Sequence, residues 1–115
     1  QVVGKGPERV SIKIVKNFVI CEMYGILTTA EKQLLKLENG EEQIKKLRDN
    51  LFLVSRDKYY EVIEEIVGAK VMEIVTKVSV KNDARFSLIV FKENIEKKIE
   101  GGELNKAANL SKKVI

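Results

Sequence analysis

The stretch KVMEIVTKVSVKNDARFSLIVF, residues 70–91, decides how this chain folds. Met72, Ile74, Thr76, Val78 and Val80 fall on one side of an extended backbone and Val71, Glu73, Val75, Lys77 and Ser79 on the other, the period of two that a strand requires. Lys81-Asn82-Asp83-Ala84-Arg85 is polar enough to turn, and FSLIVF then returns as a partner strand. Strands joined this closely pair antiparallel.

Upstream, the chain reads as a second hairpin. Val10, Ile12 and Ile14 alternate with Ser11 and Lys13, Lys16-Asn17 supplies a turn, and FVICEMYGI runs back until Gly25 stops it. Between the hairpins lies helical sequence. In LTTAEKQLLK, Thr28 is placed to cap a helix whose third residue, Glu31, reaches back to the cap, with Leu27, Leu34 and Leu35 on its inner side. Glu38-Asn39-Gly40 ends that helix. A longer one runs from about Glu41 to Val67, with Ile44, Leu47, Leu51, Val54, Val62, Ile63 and Ile66 on its apolar stripe, a candidate kink between Leu53 and Asp57, and Gly68 as the break. Hairpin, helices, hairpin predicts an α+β domain of two layers: a mainly antiparallel four-stranded sheet with the helices packed on one face.

Composition bounds the chemistry. The chain has 115 residues, 44% of them hydrophobic and 33% charged, enough for one core and one domain spanning 1–115. With no histidine and a single cysteine there is no ligand set for zinc and no disulfide framework, and no other metal or cofactor motif is present. Cys21 sits inside an apolar strand and reads as a core residue without an activating base. No apolar run approaches a membrane span and no leader is visible, so a soluble, cytoplasmic chain without direct membrane insertion is expected.

After the sheet, ENIEKKIE predicts a short charged helix anchored by Ile95 and Ile99 and closed by Gly101-Gly102. Leu104, Ala107, Ala108, Ser111, Val114 and Ile115 then mark a further helix face, which Val3 would extend by one turn if Ile115 were read on into Gln1. The order Gly4-Lys5-Gly6-Pro7, strand hairpin, Leu27-Thr28-Thr29-Ala30-Glu31-Lys32 and long charged helix resembles the YbcI-like family, described as a component of a sodium-translocating, membrane-potential-generating system. Members of that family carry a helix immediately before GKGP. Its placement at the far end here suggests a circular permutation joined around residues 101–102.

The resemblance brings no assigned catalytic residue, and the residues themselves point to contacts more than to catalysis. Gly4, Lys5 and Gly6 could cradle an anion through backbone amides; Thr28, Glu31 and Lys32 form the most specific motif; Tyr59 and Tyr60 are a candidate aromatic patch. Asp49, Asp57, Glu61, Glu64 and Glu65 recur at helical spacing but are interleaved with basic residues, as on a solvated helix face. The preferred reading is a small structural or protein-interaction domain, homodimeric because its sheet edges are open and its long helix has apolar surface to spare, and accessory to a membrane-associated partner as the resemblance implies. Two alternatives stand beside it. One is a nucleic-acid-binding module using Arg9, Lys13, Lys16, Lys77, Lys81 and Arg85 as a basic sheet-side patch, although a net charge of +4 is modest for that role. The other is an enzyme built on a carboxylate site.

Overall fold

The computed structural model describes residues 6–99. Its elements run β1 (Arg9–Val15), β2 (Phe18–Tyr24), α1 (Thr29–Leu34), α2 (Gly40–Val67), β3 (Val71–Ser79), β4 (Ala84–Phe91) and α3 (Glu96–Ile99). The four strands form one sheet in the order β1-β2-β4-β3, antiparallel throughout. The fold is therefore α+β, with helices packed against a four-stranded antiparallel sheet. The second hairpin inserts β4 against β2 and leaves β1 and β3 as the edges.

Alternation places one residue set under the helices. Val19, Cys21 and Met23 of β2, Ile89 and Phe91 of β4 and Val78 of β3 are buried, and they pack with Ile44, Ile63 and Val67 of α2 and with Ile95 just before α3. Ile95 is completely buried, and the backbone N–H groups of Ile95 and Glu96 both donate to the Lys16 carbonyl, so the chain after β4 is tied to the first hairpin turn.

Three positions depart from simple periodicity. The register of β3 against β4 slips between Val71 and Glu73, so Met72 is the extra residue of a bulge. Val71 consequently turns into the core at 5% exposure while Met72, which alternation puts on the same side as the buried Val78, stands 55% exposed. On α2, Leu47 and Val54 face solvent, Val54 at 85% exposure, because the stripe over the sheet passes through Ile44, Arg48, Tyr59 and Ile63. At 100° per residue Val54 lies about 80° to the other side of Ile44 from Arg48, off that stripe. Leu35, expected inward, is exposed because α1 ends at Leu34 and the chain turns toward Gly40.

Helix α2 is continuous from Gly40 to Val67, through the candidate kink at Leu53–Asp57, and it ends where Gly68 adopts a left-handed φ of 76°. Its start is set by contact: a Cβ at Gly40 would collide with the carbonyl of Leu34, so only glycine lets α2 begin this close to the end of α1. The join proposed at residues 101–102, the helix face at 104–115, and Gly4 and Lys5 lie outside the described residues.

Candidate functional site

The sheet face turned away from α2 is built from the residues left over by the inward alternation. Register aligns them in rows across the strands: Val15, Phe18, Val90 and Glu73; then Lys13, Ile20, Leu88 and Val75; then Ser11, Glu22, Phe86 and Lys77. Seven of these twelve side chains are large and apolar, and they are contiguous from edge to edge. Val15, Phe18, Ile20, Val75 and Phe86 are all exposed, Val75 by 55%. No described helix lies on this face, and Ile20, Val75, Phe86 and Leu88 line a shallow depression in it. Isolated exposed apolar residues are ordinary, but a continuous patch across four strands marks a contact surface.

Most charge stands at the margins of this face, with Glu22 the exception on the interior strand β2. Arg9 and Lys13 stand on the β1 edge, Glu73 and Lys77 on the β3 edge. Arg9 lies 4.4 Å above the Tyr24 ring, whose hydroxyl donates to Glu22 at 2.8 Å. The hydrogen bond to the carboxylate, ahead of a smaller effect of desolvation, raises the Tyr24 pKa. The six cations expected to gather do not form one patch. Lys13 and Lys77 occupy opposite edges with apolar residues between them, Lys16 and Lys81 sit in or beside hairpin turns, and Arg85 points to the inner face with Thr76 and Ser87.

Thr28, Glu31 and a residue the motif did not include make the most heavily bonded polar cluster. Thr28 Oγ1 accepts from the Glu31 N–H at 3.1 Å while Glu31 Oε1 accepts from the Thr28 N–H at 2.8 Å, the expected capping box. The carboxylate is at once gripped from α2: Arg48 Nε donates to Oε2 at 2.8 Å and Nη2 to Oε1 at 2.7 Å, with a further Nη2 bond to the Ile26 carbonyl at 2.9 Å. Glu31 and Arg48 are the buried charged residues of the described core. Desolvation, the largest single influence on Glu31, pushes its pKa up, but the Arg48 and Thr28 hydrogen bonds and the guanidinium charge outweigh it and hold the carboxyl below its ordinary value. An acid so paired is a structural fixture. Seventeen residues separate the two, and only the packing of α1 on α2 joins them; an arginine on the inward stripe of a helix was the one signal available.

The remaining candidates are dispersed. Lys32 is exposed on α1 and Gly6 is exposed ahead of β1. Tyr59 stacks on Phe52 with ring centroids 5.5 Å apart, whereas Tyr60 packs at the margin of the core and its hydroxyl accepts from Arg56 Nη2 at 3.3 Å. Described contacts join neither tyrosine to Thr28 or Glu31. Of the helix carboxylates, Glu64 accepts from the Val71 N–H at 2.8 Å and pairs with Lys70 at 3.7 Å, and Glu61 lies 3.9 Å from Lys58. Among the described residues no group of three or more acidic, histidine or cysteine side chains is arranged to hold a metal ion. Cys21 is 2% exposed, and burial, with a lesser contribution from Glu22, lifts its thiol to about 11, the opposite of what a nucleophile needs.

Comparison with known proteins sets this geometry in context. The profile of a family described as "Na+-translocating membrane potential-generating system (MpsC)" matches residues 1–93. Among curated proteins, the uncharacterized protein YrhF of Bacillus subtilis (strain 168) is 29% identical over 98 residues, covering 84% of this chain and 80% of its own. No solved structure matches the chain. Among the described residues, no helix is long and apolar enough to cross a membrane.

Proposed function

Because the chain belongs to the MpsC family of Na+-translocating membrane potential-generating systems, we propose that it is a non-catalytic interaction domain of such a system, acting in the cytoplasm through its outer sheet face. The observation that carries this reading is the contiguous apolar surface of Val15, Phe18, Ile20, Val75, Phe86, Leu88 and Val90. Among the described residues nothing comparable supports nucleic-acid binding, since the cations are divided between two edges, or catalysis, since the one deeply buried carboxylate there is already paired.

The occupant of the face is a second copy of the chain. Four strands about 4.8 Å apart and about seven residues long at roughly 3.3 Å each make a face of roughly 19 by 23 Å. Stacking two such faces buries on the order of 1,200 Å² in total once side-chain relief is counted, the lower bound of a specific interface. A two-fold axis parallel to the strands keeps the rows and lays the β1 edge of one copy over the β3 edge of the other, so that Ile20 meets the partner's Leu88 at the centre and Lys13 lies over the partner's Val75, one row from the partner's Glu73 and one row from the partner's Lys77.

Light scattering tests this. The wild type should run at twice the monomer mass, and Leu88→Lys, which sets an unpaired charge against the partner's Ile20, should shift the mass toward the monomer. A monomeric wild type, or an undiminished dimer in Leu88→Lys, would overturn the arrangement.

A further inference from the structure

The inner sheet face, apolar elsewhere, has a polar notch beneath the middle of α2. Cys21, Ser87 and Thr76 are register neighbours on β2, β4 and β3, and Arg85 follows Ser87 by one repeat on the same side of β4. Arg85 Nη1 donates to Thr76 Oγ1 at 2.8 Å, and Thr76 Oγ1 and Ser87 Oγ share a second bond of 2.8 Å. Thr76 accepts from the guanidinium and either hydroxyl can donate in its bond with Ser87; with Thr76 as the donor, the Ser87 O–H is free at the open end of the chain. With Phe52, Tyr59 and Ile63 of α2 above it and Ile74 and Ile89 beside it, this notch borders a partly open, mostly apolar cavity of about 30 Å³.

The two arginines between α2 and the elements it packs on, Arg48 of α2 and Arg85 of β4, are partnered differently. Arg48 is neutralised by the bidentate Glu31. Arg85 is part-buried, yet among the described residues its guanidinium, with five donor hydrogens, has Thr76 as its only hydrogen-bond acceptor and no carboxylate within ion-pair distance. Burial first, and then the like charge of Arg48, lower its pKa. Tyr59 and Asp49 offset this in part from beyond ion-pair distance, so the guanidinium has no counter-charge in contact with it, and a small anion against it would lower the cost of its burial.

We propose that this cavity binds one small monovalent anion of chloride size, held by the Arg85 guanidinium and the Ser87 hydroxyl under the Phe52–Tyr59 roof. The volume sets the class: about 30 Å³ accommodates a single ion or water-sized body, and phosphate, sulfate or a longer carboxylate would require α2 to lift. The guanidinium sets the sign, since Arg85 is the one charged residue among the described residues that line the cavity. The site is independent of the outer face and of dimer formation.

Bromide is the probe. Crystals grown in sodium bromide should give one anomalous peak in the cavity, and exchanging gluconate for bromide at constant ionic strength should raise the unfolding midpoint saturably. Ser87→Ala should raise the half-saturating bromide concentration about tenfold, the loss of one hydrogen bond to a charged group. Arg85→Met should abolish the response. If Arg85→Met does not fold, the bromide peak and the Ser87→Ala titration decide. No peak in the cavity, or a halide response unchanged in Ser87→Ala, would overturn the proposal and leave the notch to water.

Discussion

Glu31 and Arg48 show how one buried pair fixes the relation of α1 to α2. Both charges are desolvated, so removing one partner strands the other: Arg48→Met alone or Glu31→Gln alone should cost about 3–5 kcal/mol in chemical denaturation, and replacing both with apolar residues should recover much of it. The sign with pH follows from the depressed Glu31 pKa. Its contribution is complete above the unfolded value of 4.5 and is lost as pH falls through the lower folded value, so the wild type should lose stability in acid more steeply than the doubly apolar variant. Cys21 behaves in the opposite direction. Its thiol titrates near 9.0 when unfolded and at about 11 when folded, so unfolding releases a proton in that window and stability should fall as pH rises from 9 to 11, by up to about 2.7 kcal/mol. Denaturation across that range should show the slope flattened in Cys21→Ala.

At the scale of elements, the two glycines bounding α2 are held for different reasons, and substitution separates them. Gly68 has a left-handed φ of 76° but open space where a methyl group would stand, so Gly68→Ala should cost about 1 kcal/mol from backbone conformation alone. At Gly40 the obstacle is the Leu34 carbonyl itself, and because backbone cannot step aside as a side chain can, Gly40→Ala should cost more than Gly68→Ala and displace α1. Thermal unfolding of the two variants checks the order. Periodicity made the strands, the capping box and the long helix legible, because each is a local consequence of alternation or of 3.6-residue repetition. It misplaced Met72, since a one-residue bulge reverses every phase read across it, and it misplaced Leu47 and Val54, since a stripe drawn around Ile44 does not say to which side the covered surface extends. The strand order and the Glu31–Arg48 pair were not legible at all. Both depend on which distant segments become neighbours, which alternation along a strand does not encode.

At the scale of the whole molecule, two exposed apolar surfaces among the described residues compete for the role of interface. One is the outer sheet face; the other is the side of α2 carrying Leu47, Leu53 and Val54. The helix surface is the narrower, a few side chains on one convex element, whereas the sheet presents seven apolar residues across four strands. The candidate site was half visible in the sequence: the outward residues Val75, Phe86 and Leu88 could be named from alternation, but their union with Phe18 and Ile20 needed β4 to insert beside β2.

Sedimentation equilibrium on three chains puts the account to its most direct test. Wild type and Val54→Lys should both sediment as dimers, and Ile20→Lys, which buries an uncompensated charge twice at the centre of the pair, should sediment as a monomer while retaining the wild-type circular dichroism spectrum. A monomeric wild type, or dimers that survive Ile20→Lys and break with Val54→Lys, would contradict it.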